Sequence, residues 1–453
     1  MPRPVKKLFV KTYGCQMNHY DSDRLHEVMG EIGFENTEEM SKADVIVLNT
    51  CHIREKAAEK VYSDLGRIKQ LRNKRLQNGE NTTIVVAGCV AQAEGREILK
   101  RAPVVNIVIG PQSYHRLPDY IYSAEQHKQR IVDTEFPTDV KFDHLPGRTT
   151  KKLTAFLTVQ EGCDKFCTFC VVPYTRGGEY SRPAREIIRE ARDLAGQGAR
   201  EITLLGQNVN AYHGVSKKGQ PVSLARLIKK ISRVEGLERI RYTTSHPNDM
   251  SDDLIDAHRD MEKLMPYLHL PFQSGSNKIL KAMNRDHEID KYIDIIERVR
   301  EARPDIALST DIIVGFPGET DEDFEDTMEL VRRVKYAQAY SFTYSPRPGT
   351  TASTMEQQVD KQVASERLQQ LQALLKEQQF EFNRSMIGQK MPVLLEKKGR
   401  EAGQLVGRSP YLQLVHVTAP PELMGQLVDV EIVDTTRNSL AGKLEKAENR
   451  VPA

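Results

Sequence analysis

Six cysteines constrain this 453-residue chain more than any other feature, because they fall into two trios and none follows Cys170. One trio is compact. Cys163-Asp164-Lys165-Phe166-Cys167-Thr168-Phe169-Cys170 spaces its thiols as C-x3-C-x2-C, directly after the strand-like run Ala155 to Gln160. Spacing this short lets one loop wrap a metal centre without long-range folding. A cubane iron–sulfur cluster usually takes four thiolates, so three from one loop leave one iron without a protein ligand. An open coordination position marks catalytic metal sites. The competing reading is zinc, completed by one of the 12 histidines, although structural zinc sites favour paired C-x2-C units.

The other trio is dispersed. Cys15 ends the run Leu8 to Gly14, Cys51 ends Val45 to Thr50, and Cys89 ends Thr83 to Gly88. Each run is short, apolar and rich in β-branched residues, as a buried strand should be. Helical stretches, Asp21 to Ile32 and Arg54 to Gln77, separate them, and a fourth run covers Val104 to Ile109. This rhythm predicts a parallel sheet with crossover helices. Ligand sites gather beyond the carboxyl ends of such strands, so three cysteines placed there can converge on one rim. Three unrelated buried cysteines are the plainer alternative.

Composition narrows the class. Lys and Arg number 65 against 63 Asp and Glu, a net charge of +2 that neither demands nor excludes a nucleic-acid partner. With 39% hydrophobic and 28% charged residues, the chain reads as about three soluble globular domains. No stretch approaches the roughly 20 apolar residues of a membrane helix. The basic start, Met1 to Lys7, precedes an apolar run of only Leu8 to Val10, too short for a signal-peptide core. The expectation is a cytoplasmic chain, where thiols stay reduced.

Strand-like runs continue at Phe156 to Gln160, Glu201 to Leu205, Arg239 to Thr243, Tyr267 to Leu270, Ile306 to Val314 and Ala337 to Thr343, with helical stretches between them. Polar residues at their ends, Gln207, Asn208, His269, Gln273 and Asp311, are ligand candidates or equally caps. Gly315-Phe316-Pro317-Gly318 lacks the Gly-Lys-Ser/Thr ending of a phosphate loop and reads as a tight turn into a helix. Asp360 to Phe382 reads as a long amphipathic helix. Short strands then follow at Pro392 to Leu395, Tyr411 to Val417 and Leu427 to Val433. Their Gly and Pro punctuation suggests a small β-barrel. Lys397, Lys398 and Arg400 form a small basic cluster there, or simply a solvated loop.

Longer motifs carry a resemblance. They are Thr12-Tyr13-Gly14-Cys15-Gln16-Met17-Asn18, Leu48-Asn49-Thr50-Cys51, Ala87-Gly88-Cys89, Glu161-Gly162-Cys163, His269-Leu270-Pro271-Phe272-Gln273-Ser274-Gly275-Ser276, Thr310 to Thr320, Tyr344 to Thr350 and Gly407-Arg408-Ser409-Pro410-Tyr411. Over essentially its whole length the chain resembles the methylthiotransferase family of radical S-adenosylmethionine (SAM) enzymes. The resemblance implies an α/β chain in three parts. Residues 1–130 form a parallel-sheet methylthiotransferase domain, 131–150 a linker, 151–380 a partial (β/α)6 radical SAM barrel, and 381–447 a small antiparallel β-barrel of the RNA-binding TRAM type.

It further implies two 4Fe-4S clusters, one on Cys163, Cys167 and Cys170 that binds SAM, the other on Cys15, Cys51 and Cys89. Phe169 is then a candidate shelf for the SAM adenine, or a packing residue of its loop. The implied reaction adds a methylthio group to C2 of N6-isopentenyladenosine at tRNA position 37. The Gln-Met-Asn after Cys15 favours that branch over relatives acting on threonylcarbamoyladenosine of tRNA or on a ribosomal protein. Partners are the tRNA anticodon stem-loop and an electron donor protein, with a monomer as the default. A zinc-stabilised RNA-binding protein without catalysis is the remote alternative. An aromatic C–H bond has no acidic proton for a side-chain base to remove, so cofactor-borne radical chemistry suits it, and no acid–base triad stands out.

Overall fold

The computed structural model describes residues 5–52, 55–137, 141–149 and 151–445. Its first part is a six-stranded sheet: β1 Lys7–Thr12, β2 Glu35–Asn36, β3 Val45–Thr50, β4 Thr83–Gly88, β5 Ile107–Ile109 and β6 Ile131–Asp133. All neighbours pair in parallel, in the order β2-β1-β3-β4-β5-β6. Every residue of β3 and β4 is buried. That is why these runs are continuously apolar rather than alternating. Separate cores fill the two faces, one around Ile46, Ile68 and Val86, the other around Val47, Val85 and Ile109.

Two expectations change here. Ile131–Asp133, expected to open a linker, is instead the sixth strand, because β5 offers it a free parallel edge. The helix expected from Asp21 runs over Gln16–Glu31. It starts directly at Cys15, whose carbonyl accepts from the amides of Asn18 and His19. Residues 138–140 and 150 of the expected linker, and 446–447 of the expected tail domain, lie outside the described residues.

The second part is an open half-barrel of six strands alternating with helices, beginning with β7 Thr154–Thr158. Two short strands, β8 Gln160–Glu161 and β9 Tyr180–Ser181, pair antiparallel and bracket the cysteine loop. The others are β10 Glu201–Leu205, β11 Arg239–Thr243, β12 Tyr267–His269, β13 Ala307–Val314 and β14 Gln338–Thr343. They form two parallel three-stranded sheets, β7-β10-β11 and β12-β13-β14, joined by a parallel bridge from Ile240 to Leu264. Residues such as Leu157, Leu204, Ile240, Leu268 and Ile312 point outward into one large core shared with the surrounding helices. The alternate residues face the inside of the barrel. After Gly315 and Gly318, both at positive φ, Thr320 caps the Asp321–Val334 helix in a reciprocal pair with Asp323. The glycine motif is therefore a turn into a helix.

Asp360 caps the long Lys361–Arg384 helix, which contributes Leu371 and Leu375 to the barrel core. The chain ends in a closed barrel of β15 Lys390–Lys398, β16 Gln404–Arg408, β17 Leu414–Thr418, β18 Leu427–Thr435 and β19 Ser439–Leu444, in the order β15-β16-β17-β19-β18. Neither β16 nor β19 stands out in the sequence. Each carries a glycine whose place is set by close packing, Gly407 on β15 and Gly442 on Val430. The β17–β19 pair is parallel, so the barrel is mixed rather than purely antiparallel. No helix among the described residues is long and apolar enough to cross a membrane.

Candidate catalytic site

The dispersed trio does converge. Cys15 lies just beyond β1, Cys51 beyond β3 and Cys89 beyond β4, on adjacent strands of one sheet. The Cys15 and Cys51 sulfurs are hydrogen-bonded, and this draws the Cys15 thiol down to about pKa 6 against its burial, with help from Arg176. Burial pushes the Cys89 thiol up, while Arg176 opposes the shift through its charge and a hydrogen bond. Gly14 makes the approach possible. It sits at φ +97°, and a Cβ there would lie 2.2 Å from the Cys51 Cβ, which no other residue tolerates.

The compact trio hangs from β8. Gly162, at φ +79°, must be glycine because a Cβ would fall 1.9 Å from the Gly178 carbonyl oxygen. Cys163, Cys167 and Cys170 are near enough for their charges to interact. Burial pushes the Cys163 thiol up to about 11 and the Cys170 thiol up to about 12. The amide of Val172 donates to Cys170 Sγ at 3.4 Å, and Arg285 Nη1 donates to Cys167 Sγ at 3.8 Å. The loop is braced from outside: the Thr168 amide donates to the Met283 carbonyl at 3.0 Å and Lys165 Nζ to Asp249 at 3.0 Å.

All six thiols are free. Among the described residues, no three cysteine, histidine or acidic side chains close around one ion. A single zinc draws thiolates to about 2.3 Å of one point, whereas a four-iron cluster takes each thiolate on a different iron and needs wider spacing. Open trios with donor groups near their sulfurs are compatible with clusters that take each thiolate on a different iron.

A buried charge network joins the trios. Arg176 donates to Asp21 Oδ2 at 2.6 Å, to Asn18 Oδ1 at 3.1 Å and to Glu161 Oε1 at 2.7 Å. It thus links Cys89 to the residue two before Cys163. Lys141 adds a contact to Glu161 Oε2 at 2.7 Å. Burial raises the Glu161 carboxyl, but Lys141 and Arg176 outweigh it and hold the pKa below its ordinary value. At Asp21 burial wins and the pKa rises. Below this network, Arg148 bridges Glu27 Oε1 and Glu190 Oε1 at 3.0 Å each, and Met17 and Tyr20 pack with Phe156 and Leu205 of the barrel. The two domains thus meet through buried ion pairs, Arg176 with Asp21 and Arg148 with Glu27.

The proposed SAM contacts fall into three places. The Gln207 side-chain oxygen accepts from the Gly162 amide at 2.6 Å. Asn208 donates to Asp249 at 2.8 Å, while its own side-chain oxygen is buried without a partner. His269, Gln273 and Asp311 share the β12–β13 rim. His269 Nδ1 lies 3.0 Å from Ser309 Oγ and Nε2 3.6 Å from Asp311 Oδ2. Gln273, at φ +71°, pairs its backbone with Asp311 and Ile313. Phe169 packs edge-to-face on Phe316, with ring centroids 6.4 Å apart. Arg285 ties the rim to the cysteine loop, since its Nη2 donates to the Pro271 carbonyl at 2.7 Å. Arg176, Lys141 and Arg285 carry no sequence signal that marks them. Each is a lone cation whose partners lie far away in the chain.

A half-barrel whose mouth holds three thiols of one loop is the scaffold of the radical SAM enzymes. The sequence matches the Radical SAM superfamily over residues 157–331, the uncharacterized protein family UPF0004 over 7–110 and the TRAM domain over 384–444. A radical SAM methyltransferase, TsrM from Kitasatospora setae, shares the fold with a TM-score of 0.57 at 12% identity, covering 77% of each chain. The SAM radical enzyme OxsB aligns with a TM-score of 0.53 at 13% identity, covering 82% of this chain and 56% of its own. The tRNA-2-methylthio-N(6)-dimethylallyladenosine synthase of Maricaulis maris (strain MCS10) is 59% identical over 444 residues, 97% of either chain. The chain belongs to that family of radical SAM methylthiotransferases.

Proposed function

We propose that this protein adds a methylthio group to C2 of N6-isopentenyladenosine at position 37 of tRNA, in the cytoplasm and as a monomer supplied by an electron donor protein. The observation that carries the reading is 59% identity to the Maricaulis maris synthase over 97% of the chain. Cys163, Cys167 and Cys170 hold one four-iron cluster, and Cys15, Cys51 and Cys89 hold another. Bound there, the clusters and SAM supply the electron, the radical and the sulfur that an unactivated C–H bond requires.

The chain's own residues do the rest. Gln207 and Asn208 brace the loop beneath the SAM cluster, and the rim residues His269, Gln273 and Asp311 line the position where SAM binds. Phe169 packs beside it. Arg176 and Glu161 hold the two thiol trios at a fixed separation, and the paired interface of Met17, Tyr20 and Phe156 excludes water between them. The base, splayed from a single-stranded loop, is recognised by shape and stacking.

The test is nucleoside mass spectrometry of tRNA from cells with and without the gene, together with anaerobic metal analysis. Loss of 2-methylthio-N6-isopentenyladenosine on deletion, and about eight irons and eight sulfides per chain, are expected. Unchanged nucleoside, or one or two zincs in place of iron, overturns the reading.

A further inference from the structure

Each buried arginine among the described residues has a carboxylate within 4.0 Å, from Arg24 with Glu27 to Arg367 with Glu319, except Arg285. Arg285 is 8% exposed. Its Nη2 is spent on the Pro271 carbonyl, its Nε has no partner, and its Nη1 points at Cys167 Sγ. Asp249, which braces that loop, is already paired with Lys165 and Asn208. A buried cation without a counter-ion is unfavourable. Once Cys163, Cys167 and Cys170 hold a cluster, their thiolates supply the balancing negative charge, with Cys167 Sγ in direct contact.

The other trio is served differently. Arg176 reaches Cys89 and Cys15, but Asp21 and Glu161 neutralise its charge. One trio thus faces a compensated guanidinium and the other an uncompensated one. We infer that Arg285 is the counter-charge of the cluster held by Cys163, Cys167 and Cys170, and that it makes this cluster the easier of the two sites to reduce. This rests on the cluster reading above. Reduction adds one electron, delivered by a one-electron carrier protein, and no bond changes. A fixed positive charge beside the thiolates, screened from water, favours the form with the extra negative charge. Arg285 is a positioning and tuning residue in this account, since it touches a ligand sulfur rather than substrate.

The experiment is a potentiometric titration followed by electron paramagnetic resonance, on the full chain reconstituted anaerobically, with dithionite as reductant and no SAM. Adding SAM afterwards identifies which signal belongs to this cluster. Wild type is compared with Arg285→Gln, which removes the charge, and Arg285→Lys, which keeps it. Iron and sulfide content is measured for all three. With iron retained, Arg285→Gln should lower the reduced-to-oxidised ratio at a fixed potential at least tenfold, a shift of about 59 mV for a one-electron couple, while Arg285→Lys stays within about threefold. Loss of iron from Arg285→Gln but not from Arg285→Lys supports the same account, because Lys keeps the charge while losing the fork's shape. An unchanged ratio in Arg285→Gln overturns it. So does an equal shift, or an equal loss of iron, in both variants, since the fork's shape rather than its charge would then matter. A wild type that binds no iron sinks the cluster reading instead.

Discussion

At the scale of single residues, the two trios make separable predictions. Cys→Ala at 15, 51 or 89 should leave SAM cleavage intact and abolish methylthiolation, because the SAM loop is a different segment of chain. Iron should fall from about eight to about four per chain. Chromatography of 5′-deoxyadenosine, read beside nucleoside mass spectrometry, checks this, and loss of SAM cleavage with the Cys163 loop still loaded would contradict it. Gly14→Ala tests the packing. With a Cβ 2.2 Å from that of Cys51 and φ at +97°, the variant should lose the N-terminal iron and about 1–3 kcal/mol of stability. Gly30→Ala, in a helix with nothing within 4 Å of the new Cβ, should melt no lower than wild type. The six cysteines were legible because thiol spacing alone has chemical meaning. Arg176 was not, since its partner Asp21 is 155 residues away and an isolated arginine in a sequence looks like surface.

At the scale of elements, the Gln16–Glu31 helix explains most of what pattern reading missed. Asn18, Asp21, Ser22, Asp23, Arg24 and Glu27 are all buried, so its polar face is packed against the barrel and no apolar stripe announces where it begins. Strands such as β3 and β4 were legible because burial on two faces leaves apolar runs. By contrast β6, β16 and β19 are short or only half apolar. The charge network that meets this face sets an acid limit on stability, through Glu190 of the Ala184–Gly196 helix. Burial raises the Glu190 carboxyl, but Arg182, Arg148 and Arg24 hold it down at about 2, below its ordinary 4.5. A carboxyl depressed in the folded state stabilises above the unfolded value, and that contribution is lost as pH falls from about 4.5 towards 2. It is on the order of 3 kcal/mol at neutral pH. Glu190→Gln should therefore lower the denaturant midpoint clearly at pH 7 and progressively less between pH 5 and pH 3. A gap that stays constant over that range would show that the ionised carboxylate is not what matters.

At the scale of the whole molecule, the small barrel is held against the half-barrel by a device no motif advertises. Arg239 donates to the carbonyls of Arg408 and Pro392 at 2.8 and 2.5 Å, and Arg241 to those of Pro410 and Ser409 at 2.7 and 3.0 Å. Glu201 pairs with both guanidinium groups. These side chains leave the inner face of β10 and β11 at the amino end of the barrel, opposite the cysteine loop. The Gly407-to-Tyr411 motif thus docks one domain on another through its main chain, and its carbonyls are already occupied by protein. Any RNA contact by this motif would have to use its side chains rather than the carbonyls of Arg408, Ser409 and Pro410. Arg241→Met removes two docking hydrogen bonds and leaves Glu201 with one partner in a buried place, a cost of about 3–5 kcal/mol. It should speed hydrogen exchange at 408–412 while Val393, Val415 and Leu440 in the small barrel's own core stay protected. SAM cleavage without tRNA should be unchanged, because the thiol trios lie at the other end of the strands, and the KM for tRNA should rise as the small barrel loses its fixed orientation. Unaltered exchange at 408–412 would mean that the Lys361–Arg384 helix and the Tyr267–Tyr411 contact hold the domain alone.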